Sequence, residues 1–211
     1  MTSKCFIKTT MKGTQKKIGR PLSFDRAEAL EQAMLTFWRY GYESTSISAL
    51  TAAMGVTPPS LYATFGDKKQ LFLEAMQLYA GDATVIAATL DAAPSARAGA
   101  ARMLDGAAIT FTGESTPPGC LLASATASGS ATSADVQAAV AAVRAEICAM
   151  LRQRIERDIS EGKLAADCDA QTLADLIMGT IQGMSVLARD GISRTRLLSL
   201  ARQVLVCFPQ N

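Results

Sequence analysis

The stretch Gly55-Val56-Thr57-Pro58-Pro59-Ser60-Leu61-Tyr62-Ala63-Thr64-Phe65-Gly66 decides how this 211-residue chain is read. Thr57 followed by two prolines reads as an N-cap and the first turn of a helix, where backbone donors have no intrahelical partner in any case. Because Pro59 cannot donate, the Thr57 hydroxyl is left to cap the N–H of Ser60. Gly66 breaks the helix after two turns. Its inward side holds Leu61 and Phe65, and its outward side presents Thr57, Ser60, Tyr62 and Thr64.

Working outward, the same helical punctuation recurs on both sides. Upstream, Leu30, Ala33, Met34, Phe37 and Trp38 repeat at three- and four-residue spacing, marking one apolar face of a first helix. Asp25 with Glu28 makes its capping box, and Gly41 stops it. A short second helix runs from about Ser46 to Met54, capped by Thr45 or Ser46 and ended by Gly55. Downstream, Asp67 with Gln70 opens a long fourth helix that the periodicity carries toward Ala92, with Pro94 as its stop. Residues 25–65 therefore form a helix-turn-helix preceded by a supporting helix. Helix pairs with Gly in the turn also occur as plain packing units, so the side chains must decide the function.

Charge does part of that work. The chain carries 21 Lys and Arg against 19 Asp and Glu, a net charge of +2. Residues 1–26 hold seven basic side chains and one acid, a balance of +6; the other 185 residues hold 14 basic and 18 acidic side chains, or −4. A basic arm ahead of a mildly acidic body suits contact with a polyphosphate, whereas a solvated tail is the ordinary alternative. Met11 offers an alternative start, which would leave residues 1–10 outside the native product.

Composition excludes several classes. With no histidine, the commonest general base, the Ser-His and Cys-His pairs and every His-containing metal site are missing. No G-x-G-x-x-G loop or clustered carboxylate pair is present, so an enzyme is not expected, and neither is a cofactor. Cys5, Cys120, Cys148, Cys168 and Cys207 are widely spread without a C-x-x-C, which suits free thiols better than disulfides or zinc. The longest uncharged stretch, Ser115 to Ala134, holds eight Ser or Thr, two Pro and two Gly, too polar for a membrane span. No apolar segment follows the N-terminal lysines, so no signal peptide is expected and a cytoplasmic location is.

The run Gly41-Tyr42-Glu43-Ser44-Thr45-Ser46-Ile47, Leu50, Gly55-Val56 and Pro59-Ser60-Leu61-Tyr62-x-x-Phe65-x-x-Lys68-x-x-Leu71-Phe72 resembles the TetR family of transcriptional regulators. The likeness is specific over roughly residues 19–76. It continues more loosely through Pro118-Gly119-Cys120-Leu121 and Ile181-Gln182-Gly183-Met184-Ser185. Those segments are similar to the branch that contains a copper-responsive repressor of an outer-membrane gene.

The resemblance implies an all-α fold in which residues 1–20 are a basic flexible arm, 21–76 the helix-turn-helix head, and 77–211 a ligand-binding and dimerisation domain. It implies a homodimeric, cytoplasmic repressor that grips a palindromic operator in double-stranded DNA. The third helix would enter the major groove, with Tyr62, Thr64 and Lys68 on phosphates; Thr64 stands where many members carry histidine. Thr45 and Ser46 would hold the opposite strand, and Lys16, Lys17 and Arg20 would enter the minor groove.

The base-reading set is unusual, because Gly55 to Phe65 contains no Arg, Lys, Asn or Gln for a bidentate contact. Discrimination would rest on Ser60, on thymine methyls touched by Thr57, Pro58, Pro59 and Ala63, on DNA shape, and on the basic arm. A non-specific architectural DNA-binding protein is the rival reading.

For the body, helices are expected at roughly 96–112, 119–128, 133–161, 169–189 and 193–208. The resemblance implies a pocket among the fourth to seventh helices, for which Met103, Ala107, Phe111, Cys120, Ile147, Met150 and Leu151 are candidates, each equally explicable as core. Cys120 follows two prolines and Gly119 at an expected helix start, where a dipole would favour thiolate. It would then answer electrophiles or oxidants, or bind Cu(I) with Cys or Met partners, unless it is simply structural. Ile177, Gly179, Ile181, Gly183, Met184, Leu197, Leu200 and Val204 on the last two helices are the expected dimer interface.

Overall fold

Ten α-helices and a closing 3₁₀ turn account for residues 24–125 and 133–209, the part of the chain that the computed structural model describes. In order they are α1 (Arg26–Tyr40), α2 (Ile47–Met54), α3 (Pro58–Phe65), α4 (Lys68–Ala80), α5 (Ala83–Asp91) and α6 (Ala96–Phe111). There follow α7 (Leu121–Ser124), α8 (Ala134–Ser160), α9 (Ala170–Arg189), α10 (Arg194–Val204) and the turn at Leu205–Cys207. No strand occurs among the described residues, as the all-α reading requires.

Capping follows the sequence closely. Asp25 accepts from the backbone N–H groups of Ala27 and Glu28, Ser46 from Ala49, Thr57 from Ser60 and Asp67 from Gln70. One expectation fails: the fourth helix does not run on toward Ala92. Gly81, at φ +74°, ends α4, and the Asp82 carboxylate caps Thr84 to start α5. A glycine that adopts a left-handed φ beside an acidic cap outweighs apolar periodicity that continues across the break. Two smaller differences concern α7, which spans the single turn Leu121–Ser124, and α10, which tightens to 3₁₀ at Leu205.

In the head, α1 lies across α2 and α4. Phe37 meets Phe72 edge-on with ring centroids 5.1 Å apart, and Tyr42 meets Phe72 at the same distance. Leu50, Leu61 and Leu71 are fully buried beneath them, so each helix of the head contributes an anchor to one core. That core continues without a break into the body, where Leu104, Leu121, Leu151, Ile155 and Met184 are fully buried. The boundary expected near residue 76 falls inside α4, which packs on both α1 and α8.

Candidate nucleic-acid interface and effector region

The α2–α3 unit positions a short helix with one side free. Gly55, at φ +65°, supplies the left-handed turn after α2, a conformation that L side chains rarely adopt. Thr57 then caps α3, its hydroxyl 3.4 Å from the Ser60 nitrogen and 2.9 Å from the Ser60 hydroxyl. Leu61 and Phe65 are buried, while Thr57, Pro58, Pro59, Tyr62 and Ala63 are exposed and Ser60 is half-exposed. Tyr62 is 49% exposed, a large fraction for an aromatic ring, and nothing of the described chain covers the face it shares. Arg26 stacks on Phe65 from the far side, 4.6 Å from the ring centroid, and ion-pairs with Glu74 at 2.6 Å, locking α3 between α1 and α4.

Ser46 and Lys68 stand at the N-termini of the helices before and after α3. Ser46 is exposed at the N-terminus of α2. The Lys68 ammonium lies 4.5 Å over the Tyr42 ring and donates to the Glu43 carbonyl at 3.3 Å. Burial pushes its pKa down, and the nearby Glu43 carboxylate partly offsets this. Its neighbour Lys69 instead reaches the body, pairing with Asp135 of α8 at 2.6 Å.

Two expected contacts are corrected. Thr45 is only 1% exposed and its hydroxyl donates to the Gly41 carbonyl at 2.5 Å, because the chain makes a further turn between α1 and α2; it cannot offer that hydroxyl to DNA. The Thr64 hydroxyl is covered and makes no hydrogen bond. Thr64 lies three residues after the buried Leu61, at the rim of the inward face, so its oxygen is turned toward the protein. Lys16, Lys17 and Arg20 lie outside the described residues.

In the body, the seven pocket candidates differ in burial. Phe111, Cys120 and Leu151 are buried in the core, and Met103, Ala107, Ile147 and Met150 are partly buried on α6 and α8. Met150 borders a cleft of about 220 Å³ between α5 and α8, beside Leu90, Asp91 and Arg154. Helix-face spacing places side chains on a side, but cavities open where opposing side chains fail to meet, which spacing does not reveal.

Cys120 has a different setting from the one expected. The helix after it has one turn, too short for a substantial dipole, and Cys120 is 4% exposed. Its sulfur accepts a hydrogen bond from the Tyr79 hydroxyl at 3.3 Å, and its backbone N–H donates to the Ser185 hydroxyl at 2.8 Å. Burial, followed by the neighbouring Cys120, pushes the Tyr79 pKa well up. Burial likewise raises the thiols of Cys148 and Cys168, aided by Asp175 and by Asp167 with Asp169 respectively, so neither favours thiolate. Among the described residues no three Cys, Asp or Glu side chains gather at one place.

The dimer candidates divide by face. Ile177, Met184 and Leu197 are fully buried in the protomer's own core and Ile181 is 9% exposed, so these four are corrected as interface residues. Gly179 and Gly183 are exposed, and Leu200 and Val204 are half-exposed. The open face of α9 is Leu176, Gly179, Gly183 and Val186, at three- and four-residue spacing, with Leu176 40% and Val186 57% exposed. Apolar residues occur on both sides of α9, which is why periodicity alone mixed core residues with exposed ones.

Comparison with known proteins is consistent along the chain. Residues 29–75 match the family described as bacterial regulatory proteins, tetR family, and residues 99–197 match the tetracyclin repressor-like C-terminal domain. The chain is 33% identical over 198 residues to the HTH-type transcriptional repressor ComR of Escherichia coli (strain K12), covering 93% of this chain and 94% of ComR. It is 43% identical to the TetR family transcriptional regulator CifR, solved as a cysteine mutant complexed with 26-bp double-strand operator DNA. That likeness has a TM-score of 0.85 and covers 90% of this chain and all of the CifR chain. A putative TetR transcriptional regulator from Rhodococcus sp. RHA1 is 32% identical with a TM-score of 0.59, over 88% and 100% of the two chains.

Proposed function

Because this chain belongs to the TetR family of bacterial regulatory proteins, a family of transcriptional regulators and not of enzymes, we propose that it is a dimeric repressor released from a palindromic operator by a small-molecule, thiol-reactive or metal effector. The observation that carries the DNA-binding part is the free face of α3. Pro58, Pro59, Tyr62 and Ala63 stand in solvent, Ser46 and Lys68 stand at the N-termini of the helices before and after, and Leu61 and Phe65 hold the helix in place. Lys68 at the start of α4 supplies a cation next to a helix N-terminus, the usual arrangement for a phosphate. Similarity to CifR, solved with operator DNA, supports the same use of this face.

The dimer would form through the open face of α9, where two glycines allow close approach, extended by Leu200 and Val204 of α10. Two copies then present two α3 helices to half-sites about one DNA turn apart. An effector that binds one spacing of the heads better than the other shifts the equilibrium. Cys120 is the thiol proposed for a thiol-reactive or Cu(I) effector, because its contacts with Tyr79 and Ser185 lie at the meeting point of head and body, where a change at the sulfur would be felt by both.

The test is to select genomic DNA fragments with the purified protein and measure binding to the recovered site and to random duplex. A palindromic site preferred by orders of magnitude supports the repressor. Equal affinity for both would replace it with the architectural reading. Release by Cu(I) or electrophiles that disappears in Cys120→Ser identifies the sensor; unchanged release in that variant moves the effector elsewhere.

A further inference from the structure

The segment Gly119–Ser124, which leads into and includes α7, is gripped from three sides. From α1, the Trp38 indole N–H donates to the Gly119 carbonyl at 2.9 Å, a buried bond. From α4, Tyr79 meets the Trp38 ring edge-on at 4.8 Å and donates to the Cys120 sulfur. From α9, the Ser185 hydroxyl receives the Cys120 N–H, and Arg189 reaches over the segment.

Arg189 is an exposed residue at the last position of α9, yet its guanidinium ends on the head. One nitrogen, Nη2, donates to the Trp38 carbonyl at 2.9 Å and also to the Ser124 hydroxyl, whose single proton is directed to the Cys120 carbonyl at 2.7 Å, with the Trp38 carbonyl 3.3 Å away. Trp38 is in the last turn of α1, where carbonyls lack helical partners and a cation is electrostatically favoured. Gly119 makes this approach possible. It is held at φ +81°, and a Cβ there would fall 2.8 Å from both the Arg189 Nε and the Ser185 carbonyl.

We propose that Arg189 is a positioning residue for DNA binding, transmitting the attitude of α9 through the Gly119–Ser124 segment to the C-terminus of α1 and so to the head. The path is short and directional. The outward face of α9 is the proposed dimer face; Arg189 fixes Trp38; and Phe37, the neighbouring residue of α1, packs on Phe72 and Tyr42 in the head core. A tilt of α9 against its partner, or displacement of the segment at Cys120, therefore moves α1 and the α2–α3 unit on it. This inference rests on the DNA-binding reading above.

The full-length dimer and its selected operator provide the test, as a double-mutant cycle between Arg189→Ala and Ser185→Ala, with Arg189→Lys as the conservative variant. Arg189→Ala is expected to lower operator affinity about tenfold and Arg189→Lys less, with Ser185→Ala adding little once Arg189 is gone. Trp38 is the only tryptophan of the chain, so its indole N–H resonance reports directly on the segment. That resonance is expected to shift in Arg189→Ala while helical content stays unchanged. Should Arg189→Ala fold poorly, Arg189→Gln replaces it in the cycle.

Wild-type affinity in the Arg189 variants, effects that multiply independently, or an unmoved indole resonance each overturn the assignment. Failure of the wild-type protein to select any operator instead overturns the DNA-binding reading.

Discussion

Asp158 lies one helical turn beyond Arg154 on α8, and the paired side chains are 1% and 3% exposed. The other Asp158 oxygen accepts the Ala96 N–H at 2.5 Å, which caps α6, while Arg154 donates to the Leu90 and Ala93 carbonyls at 3.1 Å each. One ion pair thus closes the α5–α6 corner onto α8. Removing a single partner strands a buried charge, which costs about 3–5 kcal/mol. Asp158→Ala is expected to lower Tm by roughly 10 °C. The double variant Arg154→Met with Asp158→Leu is expected to lose less than the two single variants together, read by thermal melts followed by circular dichroism.

Thr57 is the side chain available to start α3, since Pro58 and Pro59 cannot donate. Thr57→Ala is expected to cost about 1 kcal/mol in stability through the lost Ser60 cap. Thr57→Ser should restore most of it. Chemical denaturation checks both variants, and a loss below about 0.3 kcal/mol for Thr57→Ala would remove the cap from the account.

The α3 face reads methyl groups if the DNA-binding reading holds. Replacing thymine by deoxyuridine at the half-site positions under Pro58, Pro59 and Ala63 deletes one methyl each time. A loss of about 0.8 kcal/mol, or roughly fourfold in affinity, is expected for each buried methyl. Titrations at fixed salt measure it, because phosphate contacts make affinity fall steeply with ionic strength. Uracil at every such position without effect would leave specificity to DNA shape.

The exposed face of α9 should matter for assembly and not for folding. Val186→Glu with Gly183→Glu places charge on that face without touching the protomer core, since both residues are exposed. Monomers of unchanged helical content that no longer bind operator are expected, measured by sedimentation. A dimer of wild-type affinity would move the interface to another surface.

Acid should weaken the fold through its caps and one exposed ion pair. Hydrogen bonds from Thr84 and Thr172 hold Asp82 and Asp169 below their ordinary value of 3.8, and the Lys69 hydrogen bond does the same for Asp135. A carboxyl whose folded pKa is depressed contributes stability above its unfolded value and loses it as pH falls through the folded one. Stability is therefore expected to drop below about pH 4. Asp169→Asn keeps a capping oxygen without a titrating proton, so its melts should depend less on pH in that window.

Much of the head was legible because its signals are local. The Asp25, Ser46, Thr57 and Asp67 caps each join residues two or three apart, and Gly41, Gly55 and Gly66 mark breaks that only a positive φ satisfies. The same local rules went astray at Gly81, where continued apolar spacing outvoted a glycine followed by a capping acid. The site was less legible than the fold. The outward side of α3 was readable from Leu61 and Phe65, but the buried hydroxyls of Thr45 and Thr64 depend on how turns pack against neighbours.

The sequence by itself determined the helical fold, the helix-turn-helix and the family, because capping, proline placement and apolar spacing act within a turn or two of the chain. Tertiary structure alone decided which apolar side of α9 is covered by its own protomer, leaving Leu176 and Val186 rather than Ile177 and Met184 in solvent. It alone brought Trp38 to Gly119, 81 residues away, and to Arg189, 151 residues away. No periodicity records such pairs. They exist because burying one continuous core forces distant backbone groups together, where each must find a hydrogen-bond partner.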